Sequence, residues 1–472
     1  MQEARIYFGS SPKKGDTLRE IRSPFNGEAV TRYPVCGAED AKRALEIAKE
    51  AFEKNREVTL AQRVAWIRDV AERIKREKEE FALAITKEVA KPIAFSRVEV
   101  DRCVETLTLS ADAAVDLGGE TINTDATFSG RKSVAFYKRV PLGVVVAITP
   151  FNFPLNLAAH KLGPALVAGN SVVFKPTPEA PYTGYLLAKA FIESEYAPKD
   201  MLSVVYGDAE VGSALVESPI PRKISFTGSV EVGRIITRSA GIKKVSLELG
   251  GNAATYIDKT AQIATAAARC AVGAFINSGQ VCISLQRIYV HEDVYEEFAA
   301  ELARETSKLK VGDPYDPETF MGPLINEEAA QRAYRWVQSA LKAGARTILE
   351  PKVEGRYFYP AILADVTDDM QIVCEEVFAP VVSLVRVSGY EEAIKRMNDS
   401  PYGLQFSLFT NDLRQAASFI EDAQAGGVVI NDIPTLRFDI QPYGGVKLSG
   451  IGREGPKFAL EDYTEIKSVV IL

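Results

Sequence analysis

The feature that most constrains this chain is a series of short apolar runs spaced by helix-length segments. Val-Val-Val-Ala-Ile within Gly143–Ile148 and Ser-Val-Val-Phe at Ser171–Phe174 are too apolar for strands with one face in water. Further β-branched runs follow at Leu202–Val205, Lys223–Phe226 and Lys244–Leu249. Strands buried on both faces and separated by helices are the mark of a parallel sheet built from βαβ units, so the expected class is α/β. Such a sheet binds ligands beyond the carboxyl ends of its strands. Here those ends run into polar or glycine-bearing turns: TPFNFP at 149–154, KPTPEAP at 175–181, TGSVEVG at 227–233 and ELGGN at 248–252.

A chain of 472 residues exceeds what one hydrophobic core organises, which predicts two or three units. A second alternating region runs from about 253 to 445, with a helix-like Ala261–Phe275, an apolar Ile288–Val290, helices near 327–343 and apolar runs near 381–386 and 427–430. It reads as a second α/β domain. Ahead of the first sheet, Ala44, Leu45, Ala48, Ala51 and Phe52 repeat at helical spacing, as do Val64, Ile67, Val70 and Ile74, predicting amphipathic surface helices. Thr121–Arg139 and Glu465–Leu472 alternate roughly by twos and are expected to be β-structure outside both sheets. No repeat of solenoid or propeller period is present.

The charge balance, 56 basic against 63 acidic residues with no long block of one sign, argues against nucleic acid or a membrane surface as the main partner. The first residues, MQEARIYFGSSPKKGD, lack the apolar core of a signal peptide, and no apolar stretch reaches bilayer-spanning length. A cytoplasmic location is expected. Five scattered cysteines, Cys36, Cys103, Cys270, Cys282 and Cys374, never form a CxxC pair and fit a reducing compartment. His160 and His291 stand far apart with no partner at metal-ligand spacing, so no metal site is expected.

A cysteine is most simply a small buried hydrophobe, and Cys36, Cys103, Cys270 and Cys374 offer nothing against that reading. Cys282 differs in context, because Asn277-Ser278-Gly279-Gln280-Val281-Cys282 places it after a glycine-bearing turn that follows an apolar helical run. Glu248 ends a buried strand just before Leu249 and the Gly250-Gly251 pair, an unfavourable place for a carboxylate unless it is paired or used. Alone, Glu248 reads as a salt-bridged structural residue.

In order, TPFNFP, FTGSVEVG, LELGGN, GQVC, EEVFAP and PYGGVKLSGIGRE resemble the aldehyde dehydrogenase superfamily over nearly the whole chain. The 34 positions from Glu248 to Cys282 resemble that family's separation of general base and nucleophile. The texture is similar to relatives acting on lactaldehyde, semialdehydes or glyceraldehyde 3-phosphate. The resemblance implies that Cys282 attacks the aldehyde carbon, that Asn152 and the Cys282 backbone N–H hold the oxyanion, and that Glu248 activates water to hydrolyse the thioester.

It further implies NAD or NADP as cofactor, held by Thr149, Pro150, Phe151, Lys175, Thr177, Pro178, Gly228, Ser229 and Leu249, with Glu376 and Phe378 orienting the nicotinamide end. Residues 1–120 and 142–247 would form the dinucleotide-binding domain, 248–445 the catalytic domain, and 121–141 with 457–472 an arm for a homodimer or homotetramer. Phe153 and His160 fall near the implied substrate tunnel, and Arg102 and Arg437 resemble arginines that meet substrate in those relatives. A solvated or salt-bridged role is the plain alternative for both arginines, as a packed neutral histidine is for His160.

Gly450-Ile451-Gly452-Arg453-Glu454-Gly455 fits GxGxxG, but the 17 residues left after it cannot hold a βαβ unit, so it is not a dinucleotide fingerprint. The chain departs from the family where NAD-preferring members carry a glutamate after Lys-Pro-Ser or Lys-Pro-Ala. Here Pro178 takes that place and the glutamate comes one later, at Glu179. Val281 stands where some phosphate-binding relatives have arginine. Other readings are a Cys–His hydrolase, which would need a histidine beside Cys282, a non-catalytic binding protein, and, within the family, a CoA-acylating enzyme.

Overall fold

The computed structural model describes every residue of the chain except Asp16. Five strands lie side by side and parallel in the order Lys244–Glu248, Lys223–Thr227, Val144–Ile148, Ser171–Lys175 and Leu202–Val204. The middle three are buried along their whole length, and Val144–Ile148 among them carries no polar residue. The N-terminal Ile6–Phe8 and Ser11–Lys13 extend one edge antiparallel, and Gly450–Ile451 returns from far along the chain to cap the other.

From Val144–Ile148 the chain builds outward through two strands, then crosses back to place Lys223–Thr227 on the opposite side. That reversal puts a crevice beyond the carboxyl ends of Val144–Ile148 and Lys223–Thr227, at Thr149 and Gly228.

A second, seven-stranded sheet has Ala253–Ile257 near its middle, flanked in parallel by Leu285–His291 and Gln405–Phe409. Val381–Val387 and Ala361–Ala364 continue one side and Gly427–Ile430 the other, and Arg346–Leu349 is the single antiparallel member, at an edge. The two sheets meet through the chain itself. Glu248 is the last residue of the first sheet's edge strand, and Ala253 begins the second sheet's inner strand. Since Ala253 pairs with Leu285 in register, the Gly250-Gly251 link and the residues just before Leu285 are forced side by side.

The expected helices are Ala38–Lys54 and Leu60–Arg76, the latter opened by a Thr59/Gln62 capping box. Lys78–Val89 and Ile93–Val115 were not legible as amphipathic segments. The inward face of the latter carries Ser96, Glu99, Thr106 and Ser110, which break its apolar period. Val134–Pro141 and Thr464–Ile471 form a separate two-stranded antiparallel unit with Val134, Ile466, Val470 and Ile471 exposed. The helix Pro456–Asp462, inside the stretch expected for an arm, instead packs on Ile93–Val115 and Asn156–Val167. Among the described residues no helix is long and apolar enough to cross a membrane.

Candidate active site

The turn carrying Cys282 is strained. Asn277, Ser278 and Gly279 take φ of 51°, 56° and 71° in succession, a left-handed run that side chains other than glycine adopt at a cost. At Gly279 a Cβ would meet the Ala379 carbonyl oxygen at 2.4 Å, so backbone alone fits. Buried hydrogen bonds hold the turn: Ser278 Oγ donates to the Gly322 carbonyl (2.7 Å), and Gln280 Oε1 accepts from the Ile325 N–H (3.0 Å). The result is a thiol half-open to a cavity of about 120 Å3 lined by Lys91, Phe95, Val98, Arg102, Phe153, Leu157, Thr435, Arg437 and Tyr443, among others. Burial pushes the Cys282 thiol up to about 12, against a hydrogen bond from Tyr443 that lowers it.

Asn152 reaches the same turn from the first sheet. Its Nδ2 donates to the Gln280 carbonyl at 3.0 Å, which uses one of two amide hydrogens and leaves the other free for a ligand oxygen. Glu248 lies behind, with Oε2 buried and without a hydrogen-bond partner. Burial, then the charge of Glu454, raises its carboxyl well above the usual range. At Gly251 a Cβ would meet the Cys282 carbonyl oxygen at 2.1 Å, and at Gly444 a Cβ would meet Glu248 Oε1 at 2.7 Å. The ELGGN and PYGG glycines therefore allow close approach, one to the backbone of Cys282 and the other to the Glu248 carboxylate. The GIGREG segment approaches closely too, because Gly450 lies flat on the strand ending at Glu248, where a Cβ would meet the Leu247 carbonyl oxygen at 2.2 Å.

Behind the cavity runs a buried chain of charges. Arg102 donates twice to Asp439 (2.9 and 2.8 Å), and His160 Nε2 stands 2.9 Å from Asp439 and 3.0 Å from Arg437. Arg437 also donates to Glu454 (3.1 Å), which accepts from Lys161 (3.0 Å). Burial and the neighbouring Arg437 lower the pKa of His160 and hold its ring neutral. Thus Arg102, Arg437 and Phe153 line the cavity, whereas His160 sits one layer behind it and serves the ion pairs. Lys91, paired with Glu99, and Tyr443 also line the cavity and were not singled out from sequence. Tyr443 carried the only advance signal, as the aromatic residue of PYGG.

A groove of about 500 Å3 follows the switch point of the first sheet. Thr149, Pro150, Lys175, Thr177, Pro178, Gly228 and Ser229 line it, together with Glu179, Asp208 and Thr227. The hydroxyls of Thr149 and Thr227 are buried there without partners, and burial holds the Lys175 ammonium below its ordinary pKa. Ser229 caps the helix Val230–Ser239, whose dipole points its positive end at the groove. Unpartnered donors, a buried cation and a helix N-terminus suit an anionic, hydroxyl-rich group such as a dinucleotide. Phe151, Leu249, Glu376 and Phe378 do not line the groove. Glu376 accepts from the Gly251 N–H (3.0 Å), with its carboxyl pushed up by burial to about 7, and Phe378 stands edge-on to Phe151 at 6.0 Å.

Residues 11–469 match the model of the aldehyde dehydrogenase family. The chain is 42% identical to a 3-sulfolactaldehyde dehydrogenase of Priestia aryabhattai, over 96% of this chain and 94% of that one. It is 39% identical to a lactaldehyde dehydrogenase of Methanococcus aeolicus, over 96% and 97%. Among solved structures it is similar to the NADP-dependent glyceraldehyde-3-phosphate dehydrogenase of Bacillus halodurans complexed with NADP, with a TM-score of 0.97, 34% identity and coverage of 100% and 99%. The lactaldehyde dehydrogenase of Escherichia coli gives a TM-score of 0.95 with 32% identity, covering 99% of each chain.

Asp439 holds Arg102 and His160 at once, so its loss strands two cationic or polar groups in a dry site. Asp439→Asn should lower unfolding stability by about 3–5 kcal/mol, the usual effect of removing one partner from a buried pair. Urea denaturation followed by fluorescence reads this directly, and a loss under about 1 kcal/mol would show the network to be energetically idle.

Proposed function

Because the chain belongs to the aldehyde dehydrogenase family, we propose that it oxidises an aldehyde to the carboxylic acid with NAD or NADP, through a thioester on Cys282. The observation that carries this reading is the half-open Cys282 thiol on an aldehyde-sized cavity, with the unpartnered Glu248 carboxyl near enough for its charge to bear on that thiol, in a fold that also holds a dinucleotide-sized groove at the switch point. Cys282 Sγ, as thiolate, adds to the aldehyde carbon. The oxygen that becomes negative takes the free hydrogen of Asn152 Nδ2 and the Cys282 N–H, donors of the kind worth ~3 kcal/mol each in acyl transfer. The dinucleotide, when bound, supplies the hydride acceptor, with Lys175, Thr177, Gly228 and Ser229 as its holders and Glu376 and Phe378 at the nicotinamide end. Glu248, whose burial raises its proton affinity, takes the proton of the water that hydrolyses the thioester.

For the substrate we propose a three-carbon 2-hydroxyaldehyde, the chemistry common to the names of the lactaldehyde and 3-sulfolactaldehyde relatives. A cavity of about 120 Å3 suits so small a molecule. Arg437, whose side chain lines the cavity, is the cation proposed to meet a substrate oxygen. Val281, apolar where phosphate-binding relatives have arginine, argues against a phosphorylated substrate.

Cys282→Ala should abolish turnover while keeping fold and cofactor binding, since it removes the nucleophile and little volume. Glu248→Gln should still form the thioester, giving a burst of reduced cofactor near one per site and then a stall. Rapid-mixing absorbance at the reduced nicotinamide separates the two. Near-normal turnover in the alanine variant, or an unchanged steady state without a burst in the glutamine variant, would refute the assignments.

NADP should be accepted at least as well as NAD. Proline at 178 can neither grip ribose hydroxyls nor repel a 2′-phosphate, and Lys175 can pair with that phosphate. Glu179 does line the groove, but its carboxylate is engaged by the Thr177 hydroxyl. Restoring a carboxylate with Pro178→Glu should shift kcat/KM toward NAD by about ten- to a hundredfold, roughly 1–3 kcal/mol. A wild type preferring NAD by more than about a hundredfold, unmoved by that substitution, would instead identify Glu179 as the ribose-binding carboxylate.

We further propose a homodimer or homotetramer in which the exposed apolar side chains of Val134–Pro141 and Thr464–Ile471 are covered by a second copy. Ile466→Asp with Val470→Asp should lower the mass seen in sedimentation. A wild-type monomer at micromolar concentration would refute the arrangement.

A further inference from the structure

The proposed reaction gives no role to Tyr443, the cavity residue that touches the thiol. Tyr443 Oη lies 3.0 Å from Cys282 Sγ, Tyr443 is buried while the thiol is half-open, and the tyrosine side chain has no other hydrogen-bond partner among the described residues. The ring is clamped. The Arg437 guanidinium covers its face at 3.7 Å, and Glu454 holds that guanidinium in turn. The Tyr443 backbone is tied to the same Glu454 by a pair of antiparallel bridge hydrogen bonds. A phenol fixed at both backbone and ring has little freedom to aim anywhere except at the sulfur.

Resting on the reading of Cys282 as nucleophile, we propose that Tyr443 is a further catalytic residue, whose O–H donates to Cys282 Sγ and so stabilises and aims the thiolate. The phenol keeps its own proton throughout, and the proton lost from Sγ goes to solvent. Once sulfur has bonded to carbon it is a poor acceptor, and the hydrogen bond lapses with the charge it served. The ionisable groups facing the sulfur are Tyr443 and Arg437 from the 437–443 segment, Glu376 from the segment after Gln371–Cys374, and Glu248 from the first sheet. Tyr443 itself also faces Arg437 and Glu248. Of these, Tyr443 alone hydrogen-bonds the thiol.

The test is the pH dependence of Cys282 alkylation by iodoacetamide in the cofactor-free protein, with peptide mapping to follow that cysteine alone. Tyr443→Phe keeps the ring and its clamp, and should move the alkylation profile up by about one pH unit or more, the scale of a charge-assisted hydrogen bond. Per unit, tenfold less thiolate is partly offset by its higher reactivity, so alkylation at neutral pH should fall about threefold. Placing 3,5-difluorotyrosine at 443, a stronger donor of the same shape, should move the profile below wild type.

A profile unmoved in both variants overturns the proposal. So does a raised KM in Tyr443→Phe with unaltered alkylation, which would make the phenol a substrate contact. Should Tyr443→Phe misfold, the difluorotyrosine protein alone decides. Alkylation reads the thiol and not turnover, so it stands apart from the Cys282→Ala result that tests the nucleophile itself.

Discussion

The arrangement depends on a line of buried charges, Arg102–Asp439–His160–Arg437–Glu454–Lys161, that pins the segment after the second sheet against the helices of the first. Taking so many ionisable groups out of water is costly unless each finds its partner in good geometry. Here the segment 437–454 must lie in one place for any of them to be satisfied. That same placement sets Tyr443 beneath the thiol and Gly444 against Glu248. The chemistry-bearing residues thus inherit their precision from a network of which only Arg102 and Arg437 border the cavity.

Much of the fold was legible because it rests on apolar periodicity. The strands Val144–Ile148, Ser171–Lys175, Leu202–Val204, Lys223–Thr227 and Lys244–Glu248 fall within a residue of the runs read from sequence. Ile93–Val115 escaped because its buried face mixes polar with apolar residues: Glu99 accepts the Leu155 and Asn156 N–H groups, and Thr106 bonds Asn156. Polar residues doing hydrogen-bonding work interrupt the apolar series Val100, Cys103, Leu107, Ala111 and Ala114 and blur its stripe.

At the site, the residues carried by local motifs came together, and those defined only by distant contacts did not show themselves. Asn152, Glu248 and Cys282 each sit in a short glycine- or proline-bearing signature. Asp439 sits in Arg437-Phe438-Asp439-Ile440, which announces nothing, yet it organises three other side chains through partners more than 270 positions away. His160 illustrates the converse. Its place near Asn152 in sequence suggested the substrate tunnel, but Asn156–Val167 is buried on every face, and the imidazole turns toward Asp439 behind the cavity wall.

The pairing of Glu248 with Glu454 gives the charge network its chemical meaning. Both carboxyls are buried in one region, and two like charges there cannot both be held at equal cost. Lys161 and Arg437 both bond Glu454, and burial notwithstanding they pull it down to about 2. Glu248 receives neither bond, so burial and the charge on Glu454 drive it the other way. One carboxylate is fixed as an anion and the other is left avid for a proton. The proposed removal of a proton from water calls for the second kind, and it is the cations spent on Glu454 that keep Glu248 so.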